Sequence, residues 1–298
     1  MVFADVELAR RIELNGALGS LETAQTLKQL GLKSDTRFIE VAGGYAVYTG
    51  PDLPINRATA VGLQGSVLLE ELDRIEKFYA EVGLPVQLDV TPYTDPVLIK
   101  LLGDRGYQIT SFFNQHFRPL SQADAQLEPV EGVQVIQVEK NSAAGQTWAG
   151  IVAGAFGGKD EAEQNPVNLI LPTATLNGKN NSCFLALVDG EAAGGGALTV
   201  RYGLASLFST ATLPKFRGKG VQKALIQARL AAAQSTGCEL VVVMTVPGNN
   251  SQRNLERRGF RIAYTKIIQS LNMKAETKNS YLQLDDSFLI KKVTASNQ

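Results

Sequence analysis

What the 298-residue chain has little of narrows its possible functions first. It holds two cysteines, Cys183 and Cys238, far apart and without a second ligand at metal-binding spacing, which argues against a disulfide framework or a zinc site. The single histidine, His116, sits in a strand-like run of the first half and reads as a structural residue. No excess of either charge exists: 29 basic residues face 29 acidic ones. That balance removes a general electrostatic pull toward nucleic acid or an anionic membrane, and leaves only local basic patches open. No apolar run approaches the roughly 20 residues of a membrane span. The opening Met1-Val-Phe-Ala-Asp-Val-Glu7 lacks the basic start and apolar centre of a secretory signal, so the expected compartment is the cytoplasm, with reduced thiols.

What is present is 44% apolar residues, ample for real cores, in a length that suits one large or two medium domains. One stretch changes character abruptly. Up to Pro214 the residues Leu204 to Leu213 read as a strand; after Gly220, apolar residues at Val221, Ala224, Leu225, Ala228, Ala231 and Ala232 take the spacing of one helix face ending near Gly237. A glycine-rich turn opening a helix offers unpaired N–H groups at the positive end of the helix dipole, and an anion can approach a backbone without side chains. Gly218 and Gly220 supply that turn, and Arg217, Lys219 and Lys223 add positive charge. The physical reading is a cradle for phosphate or pyrophosphate.

Elimination narrows the cradle. No G-x-x-x-x-G-K-[ST] run occurs, and the dinucleotide pattern G-x-G-x-x-G fails because Lys223 stands at the third glycine. What remains, Arg217-x-x-Gly220-x-Gln222 after a strand and Pro214, resembles the acyl-CoA pyrophosphate loop of the GNAT superfamily of N-acetyltransferases, [Q/R]-x-x-G-x-[G/A]. Gln222 departs from the small residue usual at the last position. Downstream, Leu240 to Val246 is a β-branched apolar run fit for a buried strand. Asn249 to Arg258 reads as a short polar helix, Gly259-Phe260 closes it, and Arg261 to Leu271 reads as a strand. That order of elements is similar to the GNAT core over about residues 130 to 271.

The resemblance carries implications for the site. The strand before the loop, at Thr210, Ala211 and Thr212, would pair its backbone with the pantetheine arm of acetyl-CoA or another acyl-CoA. Arg217, Gly218, Lys219, Gly220, Val221 and Gln222 would hold the pyrophosphate. Asn250 and Ser251, heading the next helix, match positions that contact the thiol end or pantetheine, although Asn and Ser are also favoured helix caps. Acyl transfer to an amine further needs a base, oxyanion donors and an acid for the thiolate. Backbone N–H groups near Thr212 suit the oxyanion. Where many family members carry the tyrosine acid, this chain has Leu255; Tyr264 in the following strand is the nearest replacement. No acidic residue lies between Arg201 and Leu213, where family bases often stand, so a water chain or a base from elsewhere is required.

The first half repeats the order of elements. Helical spacing covers residues 4 to 18 and 21 to 30, strand-like runs Arg37 to Thr49 and Asn56 to Gly62, then a helix between Gly65 and Gly83, a strand Val86 to Val90, a helix Pro96 to Asp104 and a strand Gln108 to Phe117. Arg105-Gly-Tyr-Gln-Ile109 matches Arg258-Gly-Phe-Arg-Ile262 in the equivalent place. Yet Leu63-Gln-Gly-Ser66 leads into the long helix with one glycine and no cation, so this copy is expected not to bind acyl-CoA. The polar stretch from Pro119 to Gly132 reads as a linker.

The fold expected is α/β (α+β): two GNAT-like domains, each a mixed, mostly antiparallel sheet flanked by helices. Residues 1–120 form the degenerate domain, 121–131 the linker, 132–272 the acyl-CoA-binding domain and 273–298 a tail. Within the second domain, Val133 to Val138 reads as a strand, Ser142 to Phe156 and Asn165 to Leu176 as helices, and Cys183 to Val188 with Ala192 to Val200 as a hairpin about Asp189-Gly190. Gly194-Gly-Gly196 is followed by strand rather than helix and reads as a bulge or close packing. Arg253, Arg257, Arg258 and Arg261 read as a solvated helix face. The function expected is acetyl-CoA-dependent N-acetylation of a small-molecule or peptide amine, without metal, nucleic acid or membrane partners. The alternative is a non-catalytic acyl-CoA-binding sensor or interaction module. GNAT domains often pair through their final strands, so the resemblance implies Gln108 to Phe117 and Arg261 to Leu271 as the contact in an internal pseudo-dimer; a homo-oligomer is the other arrangement.

Overall fold

A computed structural model of the chain describes residues 4–51, 53–126, 128–156 and 166–271. The apolar-containing stretch Tyr281 to Ile290 of the tail lies outside the described residues.

The chain opens with α1 (Val6–Gln29), whose first turn is capped by Asp5 accepting from Leu8 N at 2.8 Å. The stretches read as helical, residues 4 to 18 and 21 to 30, form one continuous helix through Gly16 and Gly19. A glycine costs about 1 kcal/mol inside a helix, and α1 recovers it by burying Leu8, Ala9, Ile12, Ala17 and Leu27 against the body of the protein. The run from Arg37 to Thr49 is not one strand but a hairpin, β1 (Arg37–Val41) and β2 (Gly44–Tyr48). Its two-residue turn, Ala42-Gly43, takes φ of 47° and 76°, the left-handed pair that a twisted hairpin demands. Of Asn56 to Gly62 only β3 (Ala58–Thr59) is strand. The Asn56 side chain bonds Thr49 and Gly50 instead, and Ala60 and Gly62 turn left-handed.

The first half continues with α2 (Leu69–Ala80), β4 (Val86–Val90), α3 (Pro96–Asp104) and β5 (Gln108–Pro119). The second comprises β6 (Val133–Val138), α4 (Ala143–Phe156), α5 (Pro166–Asn177), β7 (Asn181–Val188), β8 (Glu191–Arg201), β9 (Leu204–Thr212), α6 (Val221–Ser235), β10 (Leu240–Thr245), α7 (Asn250–Glu256) and β11 (Arg261–Leu271).

All eleven strands form one sheet in the order β1-β2-β3-β4-β11-β5-β10-β9-β8-β7-β6. Pairing is antiparallel except for β3 with β4 and β9 with β10. The middle of that order holds an exchange. β5, last of the first half, lies against β10 of the second, while β11, last of the second, lies against β4 of the first. The two exchanged strands also pair with each other from Arg261/Phe117 to Ser270/Gln108. Neither half therefore completes its sheet alone, and separating them would break three strand pairings and leave unpaired N–H and C=O groups on β4, β5, β10 and β11.

Side chains reinforce the junction. α1 lies across it, packing Leu8, Ala9 and Ile12 with Phe117, Leu204, Val242 and Tyr264. Beside that cluster, Lys266 Nζ sits 2.9 Å from Glu13 Oε2 and 2.8 Å from Asp89 Oδ2, all three side chains buried. Arg57 Nε adds a contact to Asp89 Oδ1 at 3.4 Å. Burial disfavours the charge on Asp89, but Arg57 and Lys266 outweigh it and hold its carboxyl below the usual range.

Candidate functional site

Strands β9 and β10 run parallel but pair only at Leu204–Leu240, Ala205–Val241 and Ser206–Val242. Beyond those rungs β9 continues to Thr212 along β8 and β10 to Thr245 along β5 without pairing to each other, so a wedge opens between them. The cause is visible on β9. Ala197 of β8 faces Phe208 and Gly195 faces Ala211, so Ser209 and Thr210 together oppose Gly196 alone. This is a β-bulge, with Ser209 at φ 47°, and a bulge bends its strand away from its neighbour. Thr210 lies in the bulge, and Ala211 and Thr212 follow it on the bent part of β9.

The loop from Pro214 to Gly220 comes next. Phe216 is buried as a plug, while Arg217, Gly218 and Lys219 are exposed. Gly218 and Gly220 both take φ of 80°. Gly220 is the N-cap of α6 and has no side chain to satisfy the first turn; among the described residues, no oxygen accepts from the N–H groups of Gly218, Val221, Gln222 or Lys223. A Cβ at Gly218 would meet nothing within 4 Å. A Cβ at Gly220 would stand 2.6 Å from Val130 Cγ1. One glycine thus keeps the loop mouth open, and the other lets residues before β6 pack beneath it. Arg217 pairs with no carboxylate among the described residues, whereas Lys223 lies 3.5 Å from Glu128 Oε2 and Lys219 lies over the Phe216 ring. The geometry fits the pyrophosphate of an acyl-CoA: unpaired amides at a helix start, an open mouth and a free cation.

Gln222, the departure from the family pattern, has a partner that explains it. Its Oε1 accepts from Asn254 Nδ2 at 2.6 Å and ties α6 to α7. At the head of α7 the cap is Asn249, whose side chain accepts from Gln252 N at 2.8 Å. Capping therefore does not use the Asn250 side chain, which is exposed, nor that of Ser251.

The first half has the same wedge but a closed cradle. β3 and β4 pair in parallel at one point, Ala58–Leu88. Ahead of α2, Val67 N donates to Asp95 Oδ2 at 2.8 Å and Leu68 N to Glu71 Oε2 at 2.9 Å. The chain's own carboxylates occupy the donors that a phosphate would need. Sequence pattern alone could not reveal this, because Asp95 reaches Val67 across 28 residues.

Tyr264 and Leu255 do not form an acid for a thiolate. Leu255 is buried in the core beneath α6. Tyr264 is buried under α1, edge-on to Tyr93, and its hydroxyl donates to Glu13 Oε1 at 2.8 Å. Burial first, and the Glu13 charge next, push its pKa far above the ordinary tyrosine value. A phenol so placed holds its proton more tightly, and the hydrogen bond is a packing one. Glu13 is correspondingly committed to Lys266 and Tyr264 rather than free as a base. His116 is buried within the sheet with Nε2 2.9 Å from Thr245 Oγ1, as expected of a structural residue, and burial pushes its pKa down against an opposing effect of Glu256.

The residue that sequence reasoning missed is Arg229, on the inner face of α6 and 1% exposed. Its Nε donates to Leu225 O at 2.9 Å, and its Nη1 lies 2.8 Å from Thr210 Oγ1, 3.1 Å from Ala197 O and 3.4 Å from Phe208 O. No carboxylate pairs with it among the described residues, and burial pushes its pKa down to about 9. Its place is cut out of the three-glycine run: a Cβ at Gly196 would stand 2.8 Å from Arg229 Cζ, one at Gly195 2.8 Å from Trp148 Cδ1, and one at Gly194 2.6 Å from Ala211 O. Close packing is therefore the reason for Gly194 to Gly196. An arginine among apolar positions of a helix was the available signal.

Comparison with known proteins follows the same lines. Residues 155–260 match the model of the Acetyltransferase (GNAT) family. No curated protein matches the chain. Among solved structures, a GCN5-related N-acetyltransferase from Kribbella flavida aligns with TM-score 0.58 at 20% identity, over 84% of this chain and 93% of that one. A tandem GNAT protein from the clavulanic acid biosynthesis pathway aligns with TM-score 0.54 at 14% identity, over 70% of each chain. A GCN5-related N-acetyltransferase from Sphaerobacter thermophilus gives 0.50 at 16%, over 70% of this chain and 65% of that one. Residues 155–260, the stretch that carries the wedge, the loop and the head of α7, thus form a region that matches the GNAT acetyltransferase family, within a whole-chain fold similar to that of a solved GCN5-related N-acetyltransferase.

Proposed function

We propose that the chain is an acetyl-CoA-dependent N-acetyltransferase with one working site, in its second half. The observation that carries this reading is the coincidence of an open wedge at β9 with a loop of unpaired amides at the start of α6. Thr210 to Thr212 would hold the pantetheine arm, Arg217 to Gln222 the pyrophosphate, and Asn250 and Ser251 the thiol end. The acyl-CoA supplies an activated thioester. An amine nitrogen bonds to the thioester carbon, the C–S bond breaks with its electron pair left on sulfur, and the proton lost by nitrogen reaches the thiolate through solvent.

The acceptor would enter from the face covered by α1, where Asn15 Nδ2 donates to Ser206 Oγ at 3.1 Å beside the last paired rung of β9. On this reading the first half shapes the acceptor site while its own cradle stays shut by Asp95 and Glu71. A cytoplasmic setting and a monomer with an internal pseudo-dimer accompany the proposal; among the described residues, no helix is long and apolar enough to cross a membrane.

A second reading, an acyl-CoA-binding sensor without catalysis, is favoured by one observation: Leu255 and Tyr264 leave the site without a tyrosine acid. Incubating the full chain with acetyl-CoA and a panel of polyamines, aminoglycosides and peptide amines, and measuring free thiol with acetylated product, separates the two. Amine-dependent thiol release supports the enzyme. Acetyl-CoA binding without release against any amine supports the sensor.

A further inference from the structure

Arg229 places a buried cation behind the strand that faces the proposed acyl site, and nothing in ordinary core packing calls for one. Burying an unpaired guanidinium is costly, and an apolar side chain would fill the same space at less cost. The chain instead clears room for it by omitting the side chain of Gly196. Among the described residues every hydrogen-bond partner of Arg229 is a neutral oxygen, and three of the four belong to the bulge region: Ala197 O, Phe208 O and Thr210 Oγ1. The Phe208 carbonyl is addressed twice, by Arg229 Nη1 and by the Thr210 hydroxyl, each at 3.4 Å. That carbonyl shares one planar peptide with the Ser209 N–H, which in a trans peptide points the opposite way, away from Arg229. Positive charge on a carbonyl oxygen draws electrons along the peptide and makes its N–H a stronger donor.

We propose that Arg229 is a positioning residue for acyl transfer, fixing the β9 bulge and polarising the 208–209 peptide so that the Ser209 N–H becomes the donor offered to the thioester oxygen. The inference rests on the acetyltransferase reading of the site. As the amine nitrogen bonds to the thioester carbon, the carbonyl π electrons move to oxygen, where the Ser209 N–H stabilises them. They return as the C–S bond breaks, with its pair left on sulfur and the amine proton passed through solvent to the thiolate. Arg229 touches none of the reacting atoms and acts through the peptide.

The test compares the full chain with Arg229→Met and Arg229→Lys, measuring CoA affinity by calorimetry, kcat and KM by thiol release, and the Ser209 amide resonance by 15N-edited NMR. Loss of an oxyanion donor costs about a hundredfold or more in kcat, so weakening one predicts a fall of about tenfold to a hundredfold in Arg229→Met. CoA affinity and KM should stay within about threefold, Arg229→Lys should recover part of kcat, and the Ser209 amide proton should move upfield in Arg229→Met. A folded Arg229→Met with parental kcat overturns the proposal, as does a loss confined to KM. Should Arg229→Met fail to fold, Gly196→Ala, whose methyl displaces the guanidinium but keeps its charge, reads the same split between kcat and KM. A parent chain that binds no acyl-CoA overturns the acetyltransferase reading and this inference with it, whereas an active parent indifferent to Arg229 overturns this inference alone.

Discussion

Placing a side chain at Gly218 tests the cradle most directly. A Cβ there meets nothing within 4 Å, so any loss of binding comes from the space a ligand would take rather than from disturbed packing. The obvious alternative, Gly220→Val, confounds the two, because its Cβ would stand 2.6 Å from Val130 Cγ1. Gly218 has φ of 80°, which costs most residues about 1–2 kcal/mol, whereas asparagine adopts that conformation readily. Gly218→Asn should therefore fold with nearly parental stability. Its side chain would displace a phosphate from the amides of Gly218 to Gln222. Hydrogen bonds to a charged group contribute about 1.5–3 kcal/mol each, so losing one or two weakens binding by about 2–4 kcal/mol, ~30-fold to ~1000-fold in Kd. Titration calorimetry with CoA, alongside urea unfolding of the same sample, measures both quantities. A Gly218→Asn chain that binds CoA within threefold of the parent places the cradle elsewhere.

Three further outcomes follow from the geometry. Lys266→Met leaves Glu13 and Asp89 facing each other without their shared cation, and breaking such a buried group should cost about 3–5 kcal/mol in urea unfolding; a loss below about 1 kcal/mol means the charges are solvated. Tyr264→Phe should lower stability by about 1 kcal/mol while leaving kcat within about threefold, since its hydroxyl serves Glu13; a hundredfold drop in kcat would restore it as the acid. Residues 130–298 expressed alone lack β5 and expose the edges of β10 and β11, so size-exclusion chromatography should find them aggregated or multimeric; a soluble monomer binding CoA like the full chain makes the first half dispensable to the fold.

Much of the cradle was legible because its signals are local. Glycine at a left-handed position, proline before a helix, and apolar spacing over one turn each act within a few residues, so the loop at Gly218 to Gln222 and the boundaries of β4, α3 and β6 could be read from the chain itself. The resemblance to GNAT domains, which often pair through their final strands, also pointed to Gln108 to Phe117 and Arg261 to Leu271 as the contact between halves, and these strands do pair. Local signals failed where left-handed residues or side-chain bonds interrupt an apolar run, as at Ala42-Gly43 and Asn56. The helical spacing of residues 4 to 30 did carry through, because tertiary burial holds α1 together across its glycines.

What only the tertiary structure decided is which distant groups meet. That β5 and β11 exchange places, joining two expected sheets into one, follows from pairing edges that no periodicity distinguishes, because a strand's alternation names its faces but not its neighbours. Lys266 finds Asp89 across 177 residues and Tyr264 finds Glu13 across 251, which turns a tyrosine with an apparent catalytic placement into a packing residue. Arg229 reads in sequence as one more polar residue on α6. It becomes a cation beneath the wedge between β9 and β10 only because Gly196, on another strand, leaves it room, and such complementarity exists only once the chain has folded.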